Sequence, residues 1–292
     1  MLKLLKTFQA HSNYVLSLGI TPDGSTLIST GMDNLVKYWK LPTYALFKTL
    51  EEHTKSVNSI SIAPDGLTFA TSSSDTTAKV WDFNSGNVLH TLKGHKKTVI
   101  AAELSSDSNY IATGSYDGKI KLWDTNDGSE LITINAFERN VTTVNFSPDG
   151  KNLVGGGLGD TFHIWKIPSG ELTKSVTKHK IVVSGARYTP DGKHFVSIGS
   201  ETLMIWNPSN WELVKTIQFE TKYPRPHTIS PDSKMIAIGF DYKVLIWNIK
   251  NGELLETIEV KPKGVDSLCF SLDSSTFLMG AADKKIRIWK LN

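Results

Sequence analysis

A tryptophan returns every 41 or 42 residues along nearly the whole chain, at Trp39, Trp81, Trp123, Trp165, Trp206, Trp247 and Trp289. A second series keeps step with it: Asp23, Asp65, Asp107, Asp149, Asp191, Asp232 and Asp273, mostly inside Ser/Thr/Ala-Pro-Asp-Gly. Proline presets φ for a tight turn and the following glycine accepts φ > 0, so each copy reads as a turn. Two residue series that share one period establish an internal repeat, and the repeat governs every other reading of the chain.

Each repeat holds about four short strand-like runs. In the second, Val57–Ile62 alternates apolar and polar residues before the turn at Pro64-Asp65-Gly66. Residues 68–71, 78–81 and 88–92 follow as further runs, separated by turns around Asp75 and Asn84-Ser85-Gly86. Alternation with period two between turn residues is the strand pattern, and no segment sustains a helical stripe. A unit this small cannot bury its own faces, so the units must stack on one another. The expected architecture is all-β, one domain over residues 1–292.

Apolar residues make up 39% of the 292 and charged ones 21%, enough for a packed core and against long disorder. The net charge of +3 comes from 32 basic and 29 acidic side chains, too even a balance for a nucleic-acid or membrane binder. Short basic clusters, Lys96–Lys97 and Lys284–Lys285 with Arg287, read as solvated faces. Cys269 is the single cysteine; it cannot form an intramolecular disulfide and reads as a small buried hydrophobe. Lysines interrupt the first ten residues, so no signal-peptide core stands there, and no stretch is long enough to cross a bilayer. A soluble protein of the cytoplasm or nucleus is the expectation, monomeric on its own.

With Gly94-His95, Asp117 and Trp123-Asp124 in one unit, and His11, His53 and His179 at matching places in others, the chain resembles the WD-repeat family of β-propellers over essentially its whole length. The resemblance implies a seven-bladed β-propeller of four-stranded antiparallel blades, and a buried His, Ser/Thr, Asp and Trp quartet in each intact blade. The matching residues are His11, Ser29, Asp33 and Trp39; His53, Thr71, Asp75 and Trp81; His95, Thr113, Asp117 and Trp123. Later units depart from the pattern. The fourth has Phe137 for His and Gly159 near the Asp place; the fifth keeps His179 and Ser197 but has Glu201 for Asp. The sixth and seventh keep Asp241 and Asp283 and lack His, so these blades should lean on apolar packing.

The chain ends three residues after Trp289, and residues 4–11 align without gaps to residues 46–53. The N-terminal strand should therefore complete the last blade, pairing with residues 286–289 and removing an open edge.

Residues 155–159, Gly-Gly-Gly-Leu-Gly, are followed by a strand rather than the helix N-terminus a phosphate loop needs, and read as a turn. No catalytic motif or metal-ligand spacing stands out, and the histidines belong to different units, so no cofactor or metal is expected. The first functional reading is a non-enzymatic scaffold for proteins or peptides, with nucleic acid and membrane set aside. The alternatives are a propeller hydrolase or lyase, marked by clustered acidic or His groups with perturbed pKa, and a regulatory domain of a larger protein.

In similar propellers, partners dock on the loops before the first and third strands of each blade. That implies contact residues Tyr14, Leu16, Met32, Tyr116, Tyr223, Arg225, Phe240 and Asp266, concentrated on blades six, seven and one. Aromatics, Met and Arg are hot-spot types, and the small Gly264 and Ala282 should leave room for an inserted side chain. Trp211 lies outside the series, at a turn position, and should pack against a neighbouring blade rather than form a second contact.

Overall fold

A computed structural model describes residues 3–219, 226–240, 242–260 and 264–291. The described chain is all-β: seven four-stranded antiparallel sheets, the blades of a seven-bladed β-propeller. Blade one comprises Val15–Ile20, Thr26–Gly31, Val36–Lys40 and Ala45–Leu50, and the next five follow in the same consecutive order. Blade seven differs. Its strands Val265–Phe270, Thr276–Ala281 and Lys285–Lys290 are completed by Lys3–Gln9, as the alignment of residues 4–11 anticipates. Leu4 faces Trp289 and Phe8 faces Ile286 across that antiparallel pair.

The chain divides into two compact units. One comprises Met1–Val57 with Pro224–Asn292 and carries blades six, seven and one; the other, Asn58–Tyr223, carries blades two to five. In both, the second and third strands of each blade are largely buried and the fourth is largely exposed. The repeated tryptophans sit on the third strand and are at most 8% exposed. In the first unit, Phe8 lies 4.9 Å from the Trp39 ring, so the N-terminal strand also packs on blade one.

The aspartate series does what its turn context predicts. In blade one Asp23 accepts the backbone N–H of Ser25 at 3.0 Å and the hydroxyl of Thr21 at 2.5 Å. The residue after it is left-handed: Gly24 at φ 71°, but Ser108, Ser233 and Ser274 at 57–63° in blades without glycine there. Those serines accept a conformation that costs an L-residue about 1–2 kcal/mol.

Neighbouring blades within a unit are tied by side chains reaching a backbone. Ser59 and Ser61 accept from the amides of Ala102 and Leu104, each at 3.0 Å, and Asn145 accepts from the Tyr188 amide at 3.0 Å. In the other unit Ser267 donates to the Val15 carbonyl at 3.0 Å. Such bonds satisfy polar groups on first strands packed against their neighbours.

Candidate partner-binding face

In blades one and three the loop end is organised by a complete buried quartet. In blade three His95 Nδ1 lies 3.0 Å from Asp117 Oδ2, and its Nε2 lies 2.8 Å from Thr113 Oγ1, which accepts the Trp123 indole N–H at 2.9 Å. An ionised carboxylate only accepts, so Nδ1 carries the proton and Nε2 accepts from the threonine hydroxyl. Blade one repeats this with His11, Asp33, Ser29 and Trp39, each contact at 2.8 Å. In blade two Trp81 donates to Thr71 at 2.8 Å and His53 is buried, while Asp75 takes the hydroxyl of Thr77 at 2.6 Å.

The aspartates also clamp two loops. Asp33 accepts from the backbone amides of Ser12 and Leu35, and Asp117 from those of Lys96 and Lys119. Burial alone would raise the Asp33 pKa. Its hydrogen bond and charge interaction with His11, with the two amides, win and hold it at about 2.

Blade five departs in a way the sequence did not reveal. His179 Nε2 meets Ser197 at 2.8 Å as in the intact blades, but Nδ1 meets the hydroxyl of Thr202 at 3.0 Å; Glu201 gives its backbone carbonyl to Phe219 instead. With no carboxylate beside it, burial lowers the His179 pKa to about 4. In blade four Phe137 occupies the imidazole's place: a Cβ on Gly157 would lie 2.9 Å from its ring, as one on Gly31 would strike His11. In blade seven Arg287 grips Asp283 with two nitrogens, at 3.0 and 2.5 Å, both side chains nearly buried. Arg287 is thus no part of a solvated basic face. Asp241 lies outside the described residues.

Among the residues expected at a partner-binding face, Tyr14 and Met32 are each 40% exposed and joined by the Met32 amide donating to the Tyr14 carbonyl at 2.9 Å. Leu16, Tyr116 and Asp266 are half-buried. Phe240 is 5% exposed and supports its loop rather than presenting a contact; the exposed aromatic there is Tyr242, at 52%. Tyr223 and Arg225 lie outside the described residues. Gly264 and Ala282 do not leave a gap, because a Cβ on Gly264 would lie 2.4 Å from that of Ala282, so the small residues let two loops touch. Trp211 packs on Phe195 at 5.2 Å and on Phe162 of the neighbouring blade at 6.1 Å.

On the first strands of blades three to five, Glu103 accepts from Asn145 at 3.2 Å and lies 4.0 Å from Arg187. Burial raises the Glu103 pKa against the pull of Arg187 and Asn145. One carboxylate tied to an amide and a guanidinium links three blades; it is not a pair of carboxylates poised for acid–base work. Cys269 is half-buried, and burial lifts its thiol to about 12, so it is no thiolate at neutral pH. No helix among the described residues is long and apolar enough to cross a membrane.

Comparison with protein families matches the WD domain, G-beta repeat, at residues 2–40, 45–82, 86–124, 128–166 and 252–290. The unmatched stretch, 167–251, holds the third strands of blades five and six, including the blade where Thr202 meets the histidine. No curated protein matches the chain. The five segments cover more than half of the 292 residues and coincide with the strands and quartets described above, and the chain belongs to the WD-repeat family.

Proposed function

We propose that the chain is a non-enzymatic scaffold that holds a protein or peptide on the loop face of blades six, seven and one. Propellers of this family typically serve as protein-interaction scaffolds, which supports the class. The observation that carries the surface is the exposed pair Tyr14 and Met32, fixed to each other through their backbones and rooted next to the His11 quartet. Tyr242, exposed on a loop of the same unit, adds a further exposed aromatic. Tyrosine has few rotamers to lose on binding and methionine adapts its shape to a partner, which suits the pair as anchors. The reading takes the chain as monomeric and as working in the cytoplasm or nucleus.

The test compares wild type with a Tyr14→Ala/Met32→Ala variant as bait in quantitative affinity capture. Both side chains are exposed, so melting should be unchanged. Proteins retained by wild type and lost by the variant support the face, and an identical captured set overturns it.

A further inference from the structure

The geometry points to a second docking surface, on the loop end of blade three, built for an acidic peptide segment. It goes beyond the face of blades six, seven and one and does not rest on it. Three loops meet there. The Gly118 carbonyl accepts from the amides of Ala136 and Phe137, and a Cβ on Gly118 would lie 3.5 Å from the Arg139 amide nitrogen. The Tyr116 amide donates to the Thr98 carbonyl at 3.0 Å, and the Ser115 hydroxyl to that of Lys97 at 3.2 Å.

Residues 93–98, 116–119 and 137–140 bring five cations together: Lys93, Lys96, Lys97, Lys119 and Arg139. Lys119 is half-buried and the other four are exposed. None of the five heads has an ion-pair or hydrogen-bond partner among the described residues. The same loops hold two carboxylates. Asp117 is consumed by His95 and by the amides of Lys96 and Lys119, which leaves exposed Glu138 alone.

The quartet therefore sets the position of this charge: one buried carboxylate fixes the backbone from which two lysines spring. In blade one the same two positions, fixed in the same way by Asp33, carry Ser12 and Leu35. Blades one and three share this frame, and blade three carries lysine at both of its positions. Unpaired cations on a rigid backbone, beside the half-buried Tyr116, complement a segment that offers several carboxylates and an apolar residue.

The probe is a fluorescein-labelled octaglutamate peptide, followed by anisotropy at low salt, with octalysine and a short oligothymidine as comparisons. Wild type should bind octaglutamate, more weakly as salt rises, and should not bind octalysine. Lys96→Glu/Lys119→Glu/Arg139→Glu should lose at least about tenfold in affinity, whereas Lys284→Glu/Lys285→Glu should stay within about twofold. The milder Lys96→Gln/Lys119→Gln variant, expected to lose a few-fold, serves if charge reversal disturbs folding. Unchanged affinity in both blade-three variants, or oligothymidine bound as tightly as octaglutamate, would overturn the proposal.

Discussion

The same substitution, threonine to valine, should act with opposite sign at two fully buried sites. Thr113 donates its hydroxyl to His95 and accepts the indole N–H of Trp123. Valine fills the same volume, so no cavity forms, but it leaves the His95 Nε2 and the Trp123 N–H buried without a partner. Each orphaned group costs about 1–3 kcal/mol, so Thr113→Val should destabilise by about 2–6 kcal/mol. Thr30 is equally buried, yet its hydroxyl has no hydrogen-bond partner. Thr30→Val removes an already unsatisfied group and should be neutral or stabilise by about 1 kcal/mol. Denaturant unfolding reads both. Hydrogen exchange of peptides spanning 110–124 and 26–39 localises them, with exchange in the first accelerated by at least about thirtyfold if opening is at equilibrium. Two variants within about 0.5 kcal/mol of each other would refute the idea that the quartet hydroxyl bridges two buried groups.

Three further outcomes follow from neighbouring features. His179 has a folded pKa of about 4 against 6.5 when unfolded, so the unfolded chain takes up the proton first as pH falls. Stability should be full above about pH 6.5 and lost progressively down to about 4. The total loss is about 3 kcal/mol, some 2 of it by pH 5, before the aspartates titrate. Thr202→Asp, which gives the ring a carboxylate, should flatten that profile in denaturant titrations at pH 7 and pH 5. Arg287→Met should cost about 3 kcal/mol by equilibrium unfolding, because it strands the Asp283 carboxylate in a nearly dry site. Deleting residues 1–9 should lower the melting temperature and promote aggregation. It opens the Lys285–Lys290 edge and strips Phe8 from Trp39; an unchanged melting curve would contradict the pairing.

The repeat was legible because the features that mark it are those least free to vary. A buried indole on each third strand and a turn aspartate that caps its own backbone have no easy substitutes at their positions. Strand count and the role of residues 3–9 follow from the same period. What escaped the sequence lay in the loops, where alternation gives no direction to a side chain. Phe240 and Tyr242 are aromatics two residues apart in one loop, and one is buried while the other is exposed. Glu201 was the natural substitute for the missing aspartate by position. Yet the turn after Gly199 reaches Trp206 in one residue fewer than Gly31 reaches Trp39, and the lost residue brings the first side chain of the third strand, Thr202, to the histidine. Arg287 looked solvated as part of a basic cluster, because a sequence does not show that its side chain folds back onto Asp283 in the preceding turn.

These departures share a physical logic that bears on function. At the exposed end of five blades an interior group fixes the local backbone: Asp33 and Asp117 in blades one and three, the Phe137 ring in blade four, a Thr202–His179 contact in blade five, and an Arg287–Asp283 pair in blade seven. The clamp is interior, whereas the residues it positions point outward, so the outer set can change without loosening the inner one. Blade one uses that freedom for Tyr14 and Met32, and blade three for Lys96 and Lys119. Recognition on this protein is accordingly expected to be separable blade by blade: exposed side chains should tune partner choice at little cost to stability. Disturbing a clamp such as Asp117 should cost both at once, because the loops that carry the contacts are the ones it holds.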